Sequence, residues 1–93
     1  MSEYFKNNNE LYEFAIQLRN ELDSLGKINE AKELSNVVDK SWTTASEALG
    51  ALLDAFIRVR KTVLVNLPKD RSTKLDIAIV QIKEAFEKAN NPN

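Results

Sequence analysis

The sequence predicts an all-α fold, an up-down antiparallel bundle of about four helices that forms a single domain over residues 1–93. Apolar residues recur at alternating spacings of three and four along four segments, as in amphipathic helices. Only two glycines and two prolines are present, whereas a strand-rich fold needs turn residues at short intervals. The links between the segments are short, which places consecutive helices side by side in opposite directions. We expect residues 1–8 and 90–93 to be flexible ends.

The first helix is predicted from about Asn9 to Leu25. One of the residues Asn7 to Asn9 is suited to cap its beginning, because an asparagine side chain accepts hydrogen bonds from free backbone N–H groups. Gly26 follows where a helix often ends on a left-handed residue. The residues predicted to face the core are Leu11, Ala15, Leu18, Leu22 and Leu25, with Phe14 beside them.

The second helix is predicted from about Asn29 to Ser41, folded back beside the first. Its core-facing residues follow the same rhythm and are expected to be Ala31, Leu34 and Val38, with Trp42 as a further candidate.

The third helix is the most apolar and is expected to form the centre of the protein. Thr44 and Glu47 have the spacing of a capping box, and Leu67-Pro68 ends the helix because a residue before proline is displaced from helical geometry. The predicted stripe consists of Ala45, Leu49, Leu52, Phe56, Val59 and Val63, widened by Leu53, Ile57 and Leu64 on one flank and by Ala48 and Ala55 on the other.

The last helix begins between Pro68 and Ser72, since either residue suits a helix start. Its predicted core residues are Leu75, Ile79, Ile82, Phe86 and Ala89.

The composition argues against an enzyme. The chain has no cysteine and no histidine, so it lacks the usual nucleophile–base pairs and most ligands of transition metals. Two glycines cannot build a phosphate-binding loop. Pairs of carboxylates such as Glu84 and Glu87 fall at or beyond the edge of the core stripe, where burial cannot raise a pKa. We therefore predict no catalytic residue, no metal and no cofactor.

Charge is unevenly distributed along the chain. Residues 1–54 hold five Lys and Arg against ten Asp and Glu, whereas residues 55–74 hold six basic residues against one acidic residue. The basic group offers a candidate binding patch for an acidic protein surface, formed by Arg58, Lys61, Lys69, Arg71 and Lys74. The alternative is structural, because Arg58 is four residues after Asp54, and cations also suit the end of a helix. A sequence pI near 5.4 argues against a dedicated nucleic-acid-binding protein.

Two pairs of apolar residues lie away from the predicted core stripes. Tyr12 and Ile16 are four positions apart in the first helix, and Ile77 and Val80 are three apart in the last. Such pairs form continuous patches that suit a partner or self-association, although packing within the bundle is the alternative. Trp42 is open to the same two interpretations, as a plug at the end of the bundle or as an interface anchor.

The beginning of the sequence has no apolar segment of the kind found in signal peptides. The most apolar stretch, Ala48 to Ile57, is only half the length of a membrane-spanning helix. We expect a cytoplasmic protein that does not enter a membrane.

From about residue 18 to residue 87, the chain resembles small, mostly uncharacterised bacterial helical proteins. The matching elements are Leu18, Leu22 and Gly26, then Glu30-Ala31 and Leu34, then Thr44-x-x-Glu47-Ala48-Leu49-Gly50-x-Leu52, and finally Leu67-Pro68. These are caps, turns and stripes, so the resemblance implies a helical fold and no site residues. Some proteins of this kind look like the immunity proteins that neutralise toxins.

From these observations, we predict a small protein that binds and inhibits or regulates a protein partner. A self-associating structural or adaptor protein, such as a homodimer, is the alternative. Binding of nucleic acid through the basic group is a third hypothesis.

Overall fold

The computed structural model describes residues 5–63 and 67–90, apart from the side chains of Val63, Ala89 and Asn90. Within these residues, the chain forms four α-helices and no strand: α1 (Asn8–Ser24), α2 (Ile28–Val38), α3 (Ala45–Val63) and α4 (Lys69–Asn90). Each helix packs against the next one along the chain. The predicted all-α, four-helix bundle is therefore confirmed.

Local hydrogen bonds fix both ends of α1, including the tight turn that leads to α2. At the start of α1, the Asn7 side chain accepts a hydrogen bond from the Glu10 N–H at 3.0 Å, as the sequence predicted. At its end, Gly26 has a φ of +80°. The N–H groups of Gly26 and Lys27 donate to the carbonyls of Asp23 and Leu22, at 3.1 and 2.8 Å. This pair of bonds is a Schellman motif, and it directs α2 back along α1.

The starts of α3 and α4 also follow from local sequence. The Thr44 hydroxyl accepts a hydrogen bond from the Glu47 N–H at 3.2 Å. This bond confirms the prediction that Thr44 caps the start of the third helix. The same hydroxyl donates a hydrogen bond to the Glu47 carboxylate at 3.3 Å. The α4 helix begins at Lys69 and the Pro68 carbonyl accepts from the Ser72 N–H at 3.0 Å, so Ser72 lies inside the helix.

The prediction that α2 extends to Ser41 was wrong, because α2 ends at Val38. Beyond that residue, the chain turns and the Trp42 indole N–H donates to the Val37 carbonyl at 2.9 Å. In a continued helix, this carbonyl would accept the N–H of Ser41. The Lys40 N–H also donates to this carbonyl, at 3.4 Å, so the tryptophan adds a second, shorter hydrogen bond at the end of the helix.

The core contains most of the predicted residues. Ring centroids of Phe14 and Phe56 lie 5.8 Å apart and join α1 to α3 across the interior. The predicted core residues that are fully or nearly fully buried are Leu11, Phe14, Ala15, Leu18, Leu22, Ala31, Leu34, Leu52, Phe56, Val59, Leu75 and Ile82.

The core predictions for Leu25 and Ala45 were wrong because both are exposed, whereas Val38 and Leu49 lie half-buried against the core. Leu25 is 49% exposed because it lies at the end of α1, beyond the last turn that faces α2. Val37 is buried in α2, whereas Val38 is only half-buried. In α3, Ala45 is exposed and Leu49 is half-buried.

Small residues are buried in α3 and α4, as predicted for Ala48 and Ala55 but not for Ala78. Ala48 and Ala55 of α3 and Ala78 of α4 are buried, whereas Leu53, Ile57 and Ile79 are half-buried. Small side chains let two helix backbones approach, so they become fully covered while larger neighbours extend past the seam. The predictions for Leu64 and for the end of the third helix fall outside the described residues, as do those for the Val63 and Ala89 side chains.

Side chains connect α4 to α1 and close the bundle. Arg71 Nε lies 3.0 Å from the Glu21 carboxylate, and Arg71 Nη1 donates to Gln17 Oε1 at 3.3 Å. At the other end, Gln81 bonds to the backbone of Phe5. These contacts show that α4 runs antiparallel to α1.

Candidate protein-binding surface

Exposed large hydrophobic residues are concentrated on the α1/α2 hairpin. Among the described residues there are four, namely Ile16, Leu25, Ile28 and Val80, with 39%, 49%, 48% and 48% of their surface exposed. The first three belong to α1, to α2 or to the turn between them. Because scattered apolar residues are normal on a surface but clustered ones mark contacts, this hairpin is the first candidate surface.

Ile16 and Ile28 lie on the same outer side of the hairpin. Tyr12, Ile16 and Arg19 are spaced by four and three positions, so they share one side of α1. Arg19 extends from that side to Asp39, just beyond α2, at 3.2 Å. Ile28 and Arg19 line one depression between the two helices. We name the surface formed by Tyr12, Ile16, Arg19, Asp23, Ile28 and Lys32 the hairpin face.

The depression in the hairpin face has a volume of about 420 Å³, within the range of ordinary ligand clefts. One wall comes from α1 and the other from α2, with the buried methyl group of Ala31 beneath. The residues that line it are Arg19, Asn20, Asp23, Ile28, Ala31, Lys32 and Ser35.

The two walls carry opposite charges that are available to a partner. Asp23 on the α1 wall and Lys32 on the α2 wall are both exposed. Within residues 5–63 and 67–90, neither side chain forms an ion pair. Arg19, which also lines the α1 wall, forms an ion pair with Asp39 at 3.2 Å.

The predicted pair of Tyr12 and Ile16 is divided by the structure. Tyr12 is half-buried and packs against the core, and this burial raises the pKa of its hydroxyl above the ordinary value of 10.0. Ile16 remains exposed. Tyr12 therefore belongs to the rim of the hairpin face, and Ile16 provides its accessible apolar surface.

The arginines of the predicted basic group are held by carboxylates. Arg58 lies 3.3 Å from Glu33 of α2 and 3.7 Å from Asp54, the partner expected from the sequence. Arg71 is directed towards α1. Arg60, next to this group, forms a two-point contact with Asp76, which raises the pKa of the Arg60 guanidinium.

The five basic residues do not all line one depression. Arg58 and Lys61 line a depression of about 330 Å³ between α2 and α3, whereas Lys69 and Lys74 line another of about 460 Å³ on α4. The three lysines are exposed. The group thus presents scattered cations, with its arginines mainly joining helices to one another.

Trp42 fills the seam between α2 and α3. Its half-buried ring packs against the core and lines the same depression as Ala51 and Ala55. The Lys40 ammonium lies 4.5 Å from the ring centroid, within the range of a cation–π contact. Together with the hydrogen bond to the Val37 carbonyl, these contacts give Trp42 a structural role at the junction of α2 and α3.

The second predicted apolar pair lies on the far side of α4. Ile77 is half-buried and Val80 is exposed. Val80 is therefore an apolar surface residue away from the hairpin face, with the same exposure as Ile28.

Sequence reasoning missed Ile28, Asp23 and Lys32 as candidate site residues. Ile28 is the first residue of α2 and falls outside the periodic stripe. The signal that could have indicated Ile28 was its position in the chain. Leu25 and Ile28 flank the turn at Gly26, and few neighbours can cover residues at a tight turn.

No model of a protein family matches this chain, and comparisons with curated proteins and with solved structures also find no match. The helices among the described residues are all too short or too polar to cross a membrane. In the same part of the chain, the acidic side chains form no cluster of three that could hold a metal ion.

Proposed function

We propose that this chain is a non-enzymatic protein that binds a protein partner through the hairpin face and thereby inhibits or regulates it. The observation that carries the proposal is that two exposed isoleucines, Ile16 and Ile28, lie on one side of an αα-hairpin, beside a depression bordered by charged residues. An apolar centre with a polar rim is the usual composition of a protein interface.

The side chains around this surface are suited to recognition. Asp23 and Lys32 are exposed to solvent, whereas catalytic acids and bases are usually desolvated. The sequence offers neither histidine nor cysteine as a reactive group. Binding is therefore the function favoured by the chemistry of this surface.

The hairpin is also well fixed before any partner arrives. The Schellman motif sets the turn, the Arg19–Asp39 pair spans the outer side, and Leu22 and Leu34 anchor the two helices in the core. A preorganised surface loses little entropy on binding. A rigid protein of this size can inhibit a partner simply by covering its working surface.

A protein partner is favoured over nucleic acid because Arg58, Arg60 and Arg71 are already paired with carboxylates. Phosphate binding would have to compete with these pairs. We place the protein in the cytoplasm and among small bacterial helical proteins as part of the same proposal.

The test is affinity capture from the native host with three baits: the wild type, Ile28→Glu and Val80→Glu. Ile28 and Val80 have equal exposure, so the two variants make the same chemical change on different surfaces. We expect a protein captured in stoichiometric amount by the wild type and by Val80→Glu, and lost with Ile28→Glu. Loss with Val80→Glu and retention with Ile28→Glu would refute the proposal.

Self-association is the second candidate function, favoured by the exposed Val80 with Ile77 beside it on α4. Light scattering at high protein concentration tests it. A dimer that dissociates on the substitution Val80→Lys supports this function, and a monomeric mass at all concentrations rejects it.

A further inference from the structure

We propose that the partner engages the hairpin face with an amphipathic α-helix that carries two apolar residues seven or eight positions apart, with one basic edge and one acidic edge. This inference rests on the proposed function and specifies the partner of the same surface. It follows from the spacing of the exposed isoleucines, from the opposite charges of the two walls and from the shape of the groove.

The spacing of Ile16 and Ile28 sets the spacing of the partner's apolar residues. Because α1 ends at Ser24 and α2 starts at Ile28 after a short turn, Ile28 is level with the last residue of α1. Ile16 lies eight residues earlier, which corresponds to about 12 Å along the helix axis. A helix seated over the groove covers both isoleucines with side chains about two turns apart.

The charges of the walls set the edges of the partner helix. Between the levels of the two isoleucines, Asp23 lies on the α1 side and Lys32 on the α2 side. A helix in the groove therefore meets a carboxylate along one edge and an ammonium group along the other. Matching requires a basic edge over α1 and an acidic edge over α2.

The groove fits a helix better than an extended strand. Both walls are α-helices whose interior backbone groups are hydrogen-bonded within the helix, so they offer no free edge for β-augmentation. Two antiparallel helices leave a groove between them into which the side-chain ridge of a third helix packs. Recognition of this kind uses side chains alone.

The experiment uses three synthetic peptides of about 18 residues, long enough to form helix, each with two leucines seven positions apart. One peptide has lysines along one side of the leucine stripe and glutamates along the other. The second has glutamates on both sides, and the third has lysines on both. Binding to the full-length protein is measured by fluorescence anisotropy at low ionic strength, where surface charges act most strongly.

The wild type is expected to bind the mixed peptide about fivefold more tightly than either single-sign peptide, as expected for exposed ion pairs. Asp23→Lys makes both walls basic and should transfer the preference to the glutamate peptide. Lys32→Asp should transfer it to the lysine peptide. The double variant, with the two charges exchanged, should again prefer the mixed peptide, because a helix can enter the groove in either direction.

Two further variants locate the binding. Ile28→Glu should abolish binding of all three peptides, and Val80→Glu should leave it unchanged. If the wild type and the charge variants bind the three peptides equally or not at all, the inference about the partner helix is overturned. The capture experiment still tests the proposed function in that case, because its outcome depends on the substitution at Ile28 and not on the charges of Asp23 and Lys32. A dimer that dissociates on Ile28→Glu would assign the face to a second copy of the chain and would also overturn the inference.

Discussion

The side chain of Gln81 holds the backbone of Phe5 as a neighbouring strand would. Gln81 Oε1 accepts from the Phe5 N–H and Gln81 Nε2 donates to the Phe5 carbonyl, both at 2.9 Å. The ring centroids of Phe5 and Phe14 lie 5.4 Å apart, and the Phe14 ring in turn contacts Phe56. A polar clamp on α4 and an aromatic series thus fix the chain just before α1.

Gln81→Glu should destabilise the protein by about 1–2 kcal/mol. A carboxylate still accepts the Phe5 N–H but cannot donate to the Phe5 carbonyl, and it brings a negative charge towards that oxygen. Urea unfolding measures the change. Asn36→Asp is the control, because it converts an exposed amide to a carboxylate on α2. Equal stability of the two variants would show that the clamp contributes nothing.

Leu22 and Leu25 should respond very differently to truncation, although the sequence pattern places both in the core. Leu22 is fully buried and Leu25 is half-exposed. Leu22→Ala should cost about 2–5 kcal/mol because it leaves a cavity, and Leu25→Ala less than about 1 kcal/mol. Denaturant unfolding of the two variants checks this difference. Similar losses would place Leu25 in the interior after all.

Alanine substitutions of the two glycines should change stability in opposite directions. Gly26 has a positive φ, so Gly26→Ala should destabilise by about 1–2 kcal/mol through backbone strain, although no atom obstructs the new methyl group. At Gly50, within α3, the added carbon would meet Phe86 Cζ at 3.8 Å, an ordinary contact. Gly50→Ala should therefore stabilise by roughly 0.5–1 kcal/mol. Thermal or chemical unfolding measures the change in stability caused by each substitution. If both substitutions changed stability in the same direction, the result would contradict the geometry.

Tyr12 should make stability depend on pH in the alkaline range. Burial raises the pKa of Tyr12 in the folded protein above 10.0, so the unfolded chain releases this proton first. The contribution is complete below about pH 10 and decreases as pH rises through the folded pKa. The difference in unfolding free energy between the wild type and Tyr12→Phe should be constant near neutrality and shift against the wild type above about pH 10. Urea unfolding of both proteins near neutrality and above about pH 10 tests this prediction. An unfolding free-energy difference that is the same at the two pH values would contradict it.

Local signals in the sequence were sufficient to predict the four helices and several of their ends. Asn7, Gly26 and Thr44 each determine a helix end through bonds to nearby backbone groups, so neighbouring residues contain the required information. The end of α2 was missed because it depends on Trp42 folding back onto Val37. That contact involves the conformation of a loop, which periodicity does not describe.

The hairpin face could not be predicted because it depends on how two helices pair. The apolar periodicity identifies the core side of each helix, but it does not indicate which exposed residues of α1 and α2 line one depression. The basic group stays a prediction, and the ion pairs of Arg58 and Arg71 with carboxylates on other helices could not be foreseen from the sequence. Of the predicted apolar pair, Ile16 is exposed and Tyr12 is half-buried, and the role of the pair in binding stays a prediction.

The most direct test of the central claim is an NMR titration of the isoleucine δ1-methyl groups with the captured partner. The chain has six isoleucines. Ile16 and Ile28 report on the hairpin face, Ile57, Ile77 and Ile79 on α3 and α4, and Ile82 on the core. We predict that the resonances of Ile16 and Ile28 shift or broaden on binding while those of Ile57 and Ile77 do not. Changes at Ile57 or Ile77 with Ile16 and Ile28 unaffected would contradict the assignment of the hairpin face as the binding surface.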